Sequence, residues 1–384
     1  MKRLKVMTVF GTRPDAVKMA PLVKELEKNV LIDAKVCVTA QHRQMLDQVL
    51  DIFAIETNYD LNIMQDRQTL EQITVRALEG LSGVFDSDKP DVVLVHGDTT
   101  TCFVAALAAF YRQIPVGHVE AGLRTFDKYF PYPEEMNRKL AGALAEYHFA
   151  PTETNRINLL NEGIRADKIY VTGNTVIDAL GTTVKKDYSF MDKALRDMDF
   201  TGKRILAVTA HRRENLGKPL ENICNALKEI AVNHPDVEII YTVHLNPAVR
   251  ETAWAILGGQ NRVRLIDPLG VADMHNLMDR SYLVLTDSGG LQEEAPSLGK
   301  PVLVLRNETE RPEAIQAGTV KLAGTEQARI YELAAQLLDD PVEYGRMARA
   351  VNPYGDGLAS ERIVEALLYE FGLSKNKPVE FKRQ

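Results

Sequence analysis

The sequence predicts an α/β protein built from two doubly wound, Rossmann-like domains. Short apolar runs typical of buried strands alternate with segments whose apolar residues recur at helical spacing, and both halves of the chain show this alternation. The 384 residues exceed what one core organises, since a domain averages roughly 150 residues. Two such domains would hold ligands at the carboxyl ends of their strands, in the cleft between the halves.

The first half of the chain predicts a parallel sheet wrapped by helices. A strand at 6–10 ends at Gly11, and Pro14 suits an early position of the helix that follows. Further strands are predicted at 34–39, 92–96, 116–119, 147–150 and 169–172, and helices at 15–28, 43–53, 69–85, 100–111, 134–145 and 153–162. We expect this domain to cover residues 1–180.

The second half repeats the pattern after a change of composition. Residues 181–203 are charged and poor in strand-forming types, which predicts a linker region before a second domain at 204–365. Strands are predicted at 205–209, 237–243, 263–266 and 282–285, and helices at 218–233, 247–256, 272–279 and from Leu291 onward. A last helix is predicted at 360–371. Residues 366–384 hold its end and a polar tail that we expect to be loose, although the segment could pack back on the first domain.

Composition narrows the class of protein. Forty-six Lys and Arg against 53 Asp and Glu give a net charge of -7, which argues against general affinity for nucleic acid or an anionic membrane. The longest apolar run, residues 102–111, is about half of what a bilayer requires. The three cysteines have neither paired nor metal-type spacing. We therefore expect a cytoplasmic protein without membrane insertion or nucleic-acid partners.

The stretch from Tyr282 to Val304 indicates the kind of ligand it binds. Its strand ends in Ser288-Gly289-Gly290, where a helix is predicted to begin. A glycine turn at a helix start presents backbone N–H groups and the positive end of the helix dipole, which favour an anion. Glu293 and Glu294 are predicted in the first helical turn, where a carboxylate could accept ribose hydroxyls or could simply be favoured by the dipole. Diphosphate on the turn and ribose on a carboxylate would form a nucleotide site.

The loop after the first strand carries two cations, Arg13 and Lys18. The chain has neither a P-loop nor a G-x-G-x-x-G fingerprint, so these two residues are interpreted as separate contacts to a phosphate-bearing ligand. Each charge-assisted hydrogen bond would contribute roughly 1.5–3 kcal/mol if desolvated. Lys18 is equally compatible with a solvated helix position.

Three carboxylates follow predicted strands or begin a predicted helix: Asp98, Glu120 and Glu134. Grouped in one cleft they could act as general acid and base, because crowding raises at least one carboxyl pKa. Asp98 alone is more typical of a helix N-cap. Asp98, His118 and Glu120 could also be metal ligands, although no fourth ligand is suitably spaced.

Loops of the second half add further candidates. His211 and Arg212 follow a strand in a polar loop, which favours a phosphate contact over a buried structural histidine. His244 occupies a similar place after the next strand. The charged loop that ends at Arg311 is either a ligand contact beside the glycine turn or a solvated turn.

A set of long motifs resembles one family throughout. They are FGTRPDAVKMAPL, VTAQHRQMLDQVL, VHGDTTT, HVEAGLRT, YPEEMNR, TGNTVIDAL, HRREN, TDSGGLQEEAPSLGKPVLVLR and ERPEA. In this order, over residues 4–370, they resemble the bacterial non-hydrolysing UDP-N-acetylglucosamine 2-epimerases. The resemblance implies a glycosyltransferase-B type fold, a homodimer and interconversion of UDP-N-acetylglucosamine with UDP-N-acetylmannosamine for surface polysaccharide synthesis. It implies no metal and no nicotinamide cofactor.

The resemblance also implies residue roles. The hydrogen on C2 of the sugar is not acidified by a carbonyl group, so elimination of UDP to a 2-acetamidoglucal, followed by re-addition, is the expected route. The implied catalytic residues are Asp98, Glu120, Glu134 and His211, with His211 at the diphosphate. The implied substrate and UDP contacts are Arg13, Lys18, Met274, Ser288, Gly289, Gly290, Glu294 and Arg311. Some members have an aromatic residue where this chain has Met274.

Some members of that family also bind a second UDP-N-acetylglucosamine that activates turnover. The matching residues are Gln41, Gln44, Arg67, Gln68, Glu134, Arg212 and His244. Substrate is therefore a candidate allosteric activator. A glycosyltransferase of the same fold, a hydrolysing 2-epimerase and a non-catalytic sugar-nucleotide sensor remain alternatives at the level of sequence.

Overall fold

The computed structural model describes residues 3–309 and 311–382, and the chain divides into two compact units. The first unit runs through Thr182 and takes in Tyr354–Lys382, and the second comprises Thr183–Pro353. Each unit is a parallel sheet with helices packed on it. The predicted fold class, two Rossmann-like α/β domains, is confirmed.

The first unit contains a seven-stranded parallel sheet in the order β3-β2-β1-β4-β5-β6-β7. Its strands are β1 (Leu4–Phe10), β2 (Ile32–Val38), β3 (Tyr59–Asp60), β4 (Val92–His96), β5 (Val116–Val119), β6 (Tyr147–Ala150) and β7 (Ile169–Val171). Its helices are α1 (Arg13–Lys28), α2 (Arg43–Ile52), α3 (Leu70–Ser87), α4 (Thr100–Phe110), α5 (Glu134–Leu144), α6 (Glu153–Asn161) and α7 (Thr175–Thr183). Every residue of β4, β5 and β6 is buried, as expected for strands covered on both faces.

The second unit contains a six-stranded parallel sheet in the order β10-β9-β8-β11-β12-β13. Its strands are β8 (Arg204–Thr209), β9 (Val237–Thr242), β10 (Val263–Ile266), β11 (Leu283–Thr286), β12 (Val302–Val304) and β13 (Val320–Leu322). Its helices are α8 (Lys193–Arg196), α9 (Lys218–Asn233), α10 (Pro247–Leu257), α11 (Val271–Arg280), α12 (Gly289–Ser297), α13 (Pro312–Ala317), α14 (Gln327–Asp339) and α15 (Pro341–Ala348). The last helix of the chain, α16 (Ala359–Glu370), belongs to the first unit.

Both sheets have a topological switch point where the strand order reverses. In the first sheet β1 lies beside β4, and in the second β8 lies beside β11. Connections leave in opposite directions at such a point, so the loops beyond the carboxyl ends of the two strands form a crevice that commonly binds ligands. Arg13, Asp98, His211 and Ser288 follow these four strands, whereas Glu120 follows β5 and Glu134 begins α5.

The chain passes from the first unit to the second after Thr182 and back to the first after Pro353, and both boundaries differ from the predicted ones. Of residues 181–203, predicted as a linker region, 183–203 belong to the second unit. There the buried carboxylate of Asp273 accepts the backbone N–H groups of Met191 and Asp192 and the hydroxyl of Tyr188. At the other crossing, residues 354–365 were predicted in the second domain but belong to the first. There the carboxylate of Asp178 accepts the Ser360 N–H at 2.7 Å, and α16 packs on α1.

The described part of the tail is held against the first unit, so the expected loose tail is wrong up to residue 382. The N–H of Phe381 donates to the carbonyl of Val171 at 2.8 Å, and Glu380 pairs with Arg156. The tail thereby covers β7, an edge strand whose backbone groups need partners. None of the helices in the described residues combines the length and apolar character that a membrane-spanning segment needs.

Candidate functional site

Glu120 is the most tightly held carboxylate among the candidates of the first unit. It follows β5 and is 9% exposed. Its carboxylate accepts hydrogen bonds from the ammonium of Lys18 and from the amide of Asn174, the latter at 2.8 Å. Its φ of +61° lies in the left-handed region, which is uncommon for a residue with a side chain and recurs at functional sites. The alternative that Lys18 is merely a solvated helix residue is wrong.

The surroundings of Glu120 keep its carboxylate ionised. Burial alone would raise the pKa of Glu120, but the charge of Lys18, with hydrogen bonds from Lys18 and Asn174, lowers the pKa to about 2. His96 Nε2 lies 3.7 Å from Glu120 Oε2, and both ring nitrogens of His96 are buried and find no hydrogen-bond partner within the described part of the chain. Burial lowers the pKa of His96 to about 4, so its imidazole is neutral near pH 7.

Asp98 lies on the loop beside Glu120. A Cβ added to the neighbouring Gly97 would lie 3.7 Å from Glu120 Oε1, so this loop passes against the Glu120 carboxylate. The expected N-cap role of Asp98 is wrong, because Thr99 caps α4 by accepting the N–H of Cys102. The Asp98 carboxylate instead accepts from the guanidinium of Arg138.

Two adjacent glutamates at the start of α5 have different surroundings. Glu135 is fully buried, and its carboxylate accepts the N–H groups of Thr125 and Phe126 at 3.1 Å each and pairs with Arg138 at 3.2 Å. Glu134 is partly exposed, and its carboxylate makes no hydrogen bond or ion pair with any described residue. Glu135 therefore holds the loop and Arg138 in place, while Glu134 is available to a ligand.

The loop after β1 is fixed by a buried carboxylate. Asp15 accepts the N–H groups of Gly11 and Thr12 and the hydroxyl of Thr12, which forms a capping box at the start of α1. Only glycine fits at position 11, because a Cβ there would lie 1.8 Å from Thr39 Oγ1. Arg13 is the first residue of α1 and is half-buried, and this burial lowers the pKa of its guanidinium.

The first-unit residues predicted to bind a second substrate molecule form only a partial cluster. The side-chain oxygen of Gln41 accepts from the Thr101 hydroxyl at 3.2 Å, and the backbone carbonyl of Gln41 accepts from Gln68 Nε2 at 3.5 Å. Gln44 and Arg67 are exposed, and Arg67 has a left-handed φ of +52°. Arg76, which donates to Gln68 Oε1 at 3.3 Å, was not anticipated from the sequence.

The glycine turn of the second unit opens directly into α12. Ser288 is the N-cap residue and makes no side-chain hydrogen bond to the helix backbone. The guanidinium of Arg311 packs on Gly289, where an added Cβ would lie 2.6 Å from Arg311 Nη1. Arg311 Nε also donates to Glu293 at 2.6 Å, so a cation is held beside Ser288, Gly289 and Gly290.

Glu293 and Glu294 lie in the second turn of α12, so their predicted place in the first turn is wrong. The helix begins earlier than expected, at Gly289, and the dipole explanation therefore loses its basis. Glu293 is buried in its pair with Arg311. Glu294 is partly exposed and lies 3.3 Å from Nε2 of His275, the neighbour of the partly buried Met274 in α11.

His211 lies in a loop organised by Asp287. Asp287 Oδ2 accepts the N–H groups of His211 and Arg212 and the side-chain amide of Asn215, at 2.7, 2.8 and 3.0 Å. The His211 ring stacks on the exposed His244 ring with centroids 5.1 Å apart. Burial lowers the pKa of His211, although the Asp287 charge opposes that effect.

The structure thus brings some candidates together and leaves others apart. In the first unit Lys18 bonds to Glu120, and the Asp98 loop passes against the Glu120 carboxylate. In the second unit the His211 ring stacks on His244, and the Arg311 guanidinium packs on Gly289. Glu294 lies beside His275. Sequence reasoning missed several supporting residues: His96, Glu135, Arg138, Asn174, His275 and Asp287. Their common signal is position, since they lie at or just past strand ends or on helices. The described residues contain no group of three or more His, Cys, Asp or Glu side chains placed to hold a metal ion, so the alternative of Asp98, His118 and Glu120 as metal ligands finds no support.

Comparison with known proteins gives consistent results along the whole chain. The family described as UDP-N-acetylglucosamine 2-epimerase matches residues 24–368. The UDP-N-acetylglucosamine 2-epimerase of Bacillus subtilis is 60% identical over 383 residues, covering 99% of both chains. The enzyme of that name from Escherichia coli K12 is 58% identical over 370 residues, covering 95% of this chain and 98% of its own.

Solved structures agree with these matches. The crystal structure of UDP-GlcNAc 2-epimerase from Neisseria meningitidis bound to UDP-GlcNAc is 52% identical, with a TM-score of 0.87 over 95% of this chain and 100% of its own. With the match of the family along most of the sequence, this similarity decides the classification. The chain belongs to the UDP-N-acetylglucosamine 2-epimerase family and is an isomerase.

Proposed function

We propose that this protein interconverts UDP-N-acetylglucosamine and UDP-N-acetylmannosamine by eliminating and re-adding UDP, without hydrolysing the product. The observation that carries the proposal is the buried Glu120 carboxylate, which is ionised and bonded to a lysine that can also contact phosphate. The names of the relatives, and the UDP-GlcNAc bound to the Neisseria meningitidis enzyme, support the choice of substrate.

Elimination explains why such a site needs carboxylates and cations. A carboxylate takes the C2 proton, the C1–O bond breaks with its electron pair going to UDP, and a C1–C2 double bond forms in a 2-acetamidoglucal. Return of a proton to the opposite face of C2 and addition of UDP oxygen to C1 give the epimer. The carboxylates act as general acid and base, and cations stabilise the charge on the departing diphosphate.

The roles we assign follow the chemistry of each residue. Asp98, Glu120 and Glu134 serve the sugar as acid and base, and Arg13 and Lys18 stabilise the leaving diphosphate. Ser288, Gly289 and Gly290, at the start of α12, together with Arg311 and His211, bind the diphosphate. Glu294 accepts the ribose hydroxyls and Met274 contacts the uracil.

Lys18 gives Glu120 a way to respond to substrate. With Lys18 bonded to it, the carboxylate is a weak base, since its pKa is about 2. A diphosphate that attracts the Lys18 ammonium would leave the burial of Glu120 opposed only by weaker contributions such as the Asn174 hydrogen bond, and would raise its pKa. Glu120 would therefore become a stronger base only when the nucleotide is present.

The proposal includes regulation and assembly. We propose that a second UDP-N-acetylglucosamine activates turnover through Gln41, Gln44, Arg67, Gln68, Glu134, Arg212 and His244. We further propose a homodimer that works in the cytoplasm without a cofactor and supplies surface polysaccharide synthesis. The exposure of Arg67 and His244 supports their availability to a ligand.

Incubation of the purified protein with UDP-N-acetylglucosamine in heavy water tests the reaction. We expect UDP-N-acetylmannosamine with deuterium at C2, and deuterium also in recovered substrate, detected by NMR and mass spectrometry. Product that retains its original hydrogen at C2 would contradict the mechanism. Release of UDP with free N-acetylmannosamine would indicate a hydrolysing enzyme, transfer only to an added acceptor a glycosyltransferase, and unchanged ligand a sensor.

A further inference from the structure

We propose that Asp287 is a positioning residue that acts through His211, in addition to holding the loop in which His211 lies. The two oxygens of the Asp287 carboxylate have different surroundings. Oδ2 accepts three N–H groups, including those of His211 and Arg212. Oδ1 is buried and has no hydrogen-bond partner among the described residues, and it lies 3.6 Å from Nδ1 of His211.

An unsatisfied buried carboxylate oxygen is costly, so its position needs an explanation. Holding the loop requires only Oδ2, which already has its three donors. The His211 ring is a group able to satisfy Oδ1, through Nδ1–H, after a shortening of the present 3.6 Å separation. The free oxygen is therefore placed for a bond that forms when the ring moves slightly toward it.

That bond would fix the chemistry of the ring. An Nδ1–H that donates to Asp287 leaves Nε2 as the atom that faces the ligand, and when Nε2 takes up a proton from solvent the cation is stabilised by the carboxylate behind it. The other charged or titratable groups facing His211 are His244, stacked on its ring, and Arg212; both disfavour a charged imidazole. Asp287 is the group that opposes them.

The inference rests on the proposed function, in which His211 binds the diphosphate that leaves the sugar. Groups that orient a metal-bound histidine change activity by roughly 10- to 100-fold, and we expect an effect of that order here. Asp287→Asn keeps an oxygen for the three loop donors but removes the charge and the acceptor for Nδ1–H. Turnover should then fall about 10- to 100-fold, with a much smaller change in KM.

Three variants separate positioning from loop support. In a His211→Asn background, Asp287→Asn should cost little further turnover, whereas a fall by the same factor as in the parent would overturn the proposal. NMR of protein labelled with nitrogen-15 at histidine should show a lower pKa for His211 in Asp287→Asn. Asn215→Ala, which removes a loop contact to the same carboxylate without changing charge, should leave that pKa unchanged. An unchanged His211 pKa in Asp287→Asn would also overturn it.

A measurement on the unaltered protein keeps the inference testable if Asp287→Asn does not fold. With UDP bound, the nitrogen-15 shifts should show His211 carrying its proton on Nδ1; a neutral ring protonated only on Nε2 would contradict the inference. These spectra do not depend on turnover. If the parent makes no UDP-N-acetylmannosamine, the proposed function fails, while the spectra still decide whether Asp287 orients His211.

Discussion

Glu120 in the first unit and Asp287 in the second are both buried carboxylates just past the end of a sheet strand, yet their partners differ. Glu120 is bonded to the ammonium of Lys18, a long side chain that a ligand can attract away. Asp287 accepts two backbone N–H groups and an asparagine amide that belong to its own loop arrangement. The same position in a Rossmann-like sheet therefore yields a carboxylate with a displaceable charge partner or one with a fixed set of donors.

The difference teaches how one fold separates chemistry from support. A displaceable cation lets the basicity of a carboxylate change on binding, whereas fixed N–H donors keep a carboxylate charged and a loop rigid. We therefore propose that proton transfer belongs to the first unit, where Arg13 and Lys18 also stabilise the leaving diphosphate, and that the second unit supplies the other diphosphate contacts.

The largest expected effect follows from loss of the Glu120 charge, which tests whether the first unit carries out proton transfer. Glu120→Gln, and likewise Asp98→Asn, should lower turnover at least about 100-fold, because general acid–base catalysis contributes that much or more. UDP should still bind, as measured by calorimetry. The control is Glu153→Gln, a carboxylate 65% exposed on α6, which should leave turnover unchanged. Near-normal turnover in Glu120→Gln or Asp98→Asn would remove that residue from the mechanism.

Lys18→Met sharpens the comparison by removing the displaceable charge. Glu120 has a folded pKa of about 2, below its ordinary value of 4.5, so its pairing stabilises the protein fully above pH 4.5 and loses that contribution as the pH falls through 2. The variant should therefore lose about 3 kcal/mol of unfolding free energy at pH 7, and clearly less at pH 3.

Chemical denaturation at both pH values measures the effect of Lys18→Met. Lys28→Met on the same helix removes a lysine that is 71% exposed and paired with Glu25, and should change stability by less than about 0.5 kcal/mol. An equal loss for Lys18→Met at both pH values would show that the Glu120 charge is not what the lysine stabilises.

A further prediction concerns the proposed activation by a second nucleotide-sugar, whose contacts include Arg67 of the first unit. The rate against substrate should then be sigmoidal, and Arg67→Ala should make it hyperbolic and lower activity at limiting substrate about 10-fold, a coupling of ordinary size. Arg112→Ala removes an arginine that pairs with Asp86 at 2.7 Å and should keep the sigmoidal curve. A hyperbolic curve in the parent would end the idea of activation by substrate.

The smallest expected effect is on stability, and it distinguishes the capping role of Thr99 from the proposed catalytic role of Asp98. Thr99→Ala removes the N-cap of α4 and should lower the unfolding free energy by about 1 kcal/mol. Asp98→Asn leaves that cap intact and should change turnover much more than stability. Thermal unfolding and kinetics of the two variants together test this, and the reverse pattern would return the capping role to Asp98.

The sequence predicted most of the fold because buried parallel strands are continuous apolar runs, as β4 and β11 show. It failed where tertiary contacts override local composition. Residues 183–203 look like a linker by charge, but the single buried carboxylate of Asp273 organises part of them. The short strands β3 and β13 carry too few residues to show a periodicity.

For the candidate site, the sequence located the loops but not the partners within them. Lys18 and Glu120 are 102 positions apart, and no local pattern indicates that they pair. The choice between Asp98 and Thr99 as cap depends on backbone geometry, since both residue types suit the position. Glu134 and Glu135 are adjacent residues of the same type, so the sequence does not show that Glu135 is buried and hydrogen-bonded whereas Glu134 is partly exposed.

The packing of α16 on α1 joins segments that are synthesised far apart in time. While the ribosome is still translating the second unit, the helix that covers α1 and the strand-edge contacts of Phe381 do not yet exist. The seven strands of the first sheet all precede β8 in the chain, so this sheet can form while the helix α16, which packs on α1, is still missing. During translation α1 therefore lacks this packing partner until α16 has been synthesised.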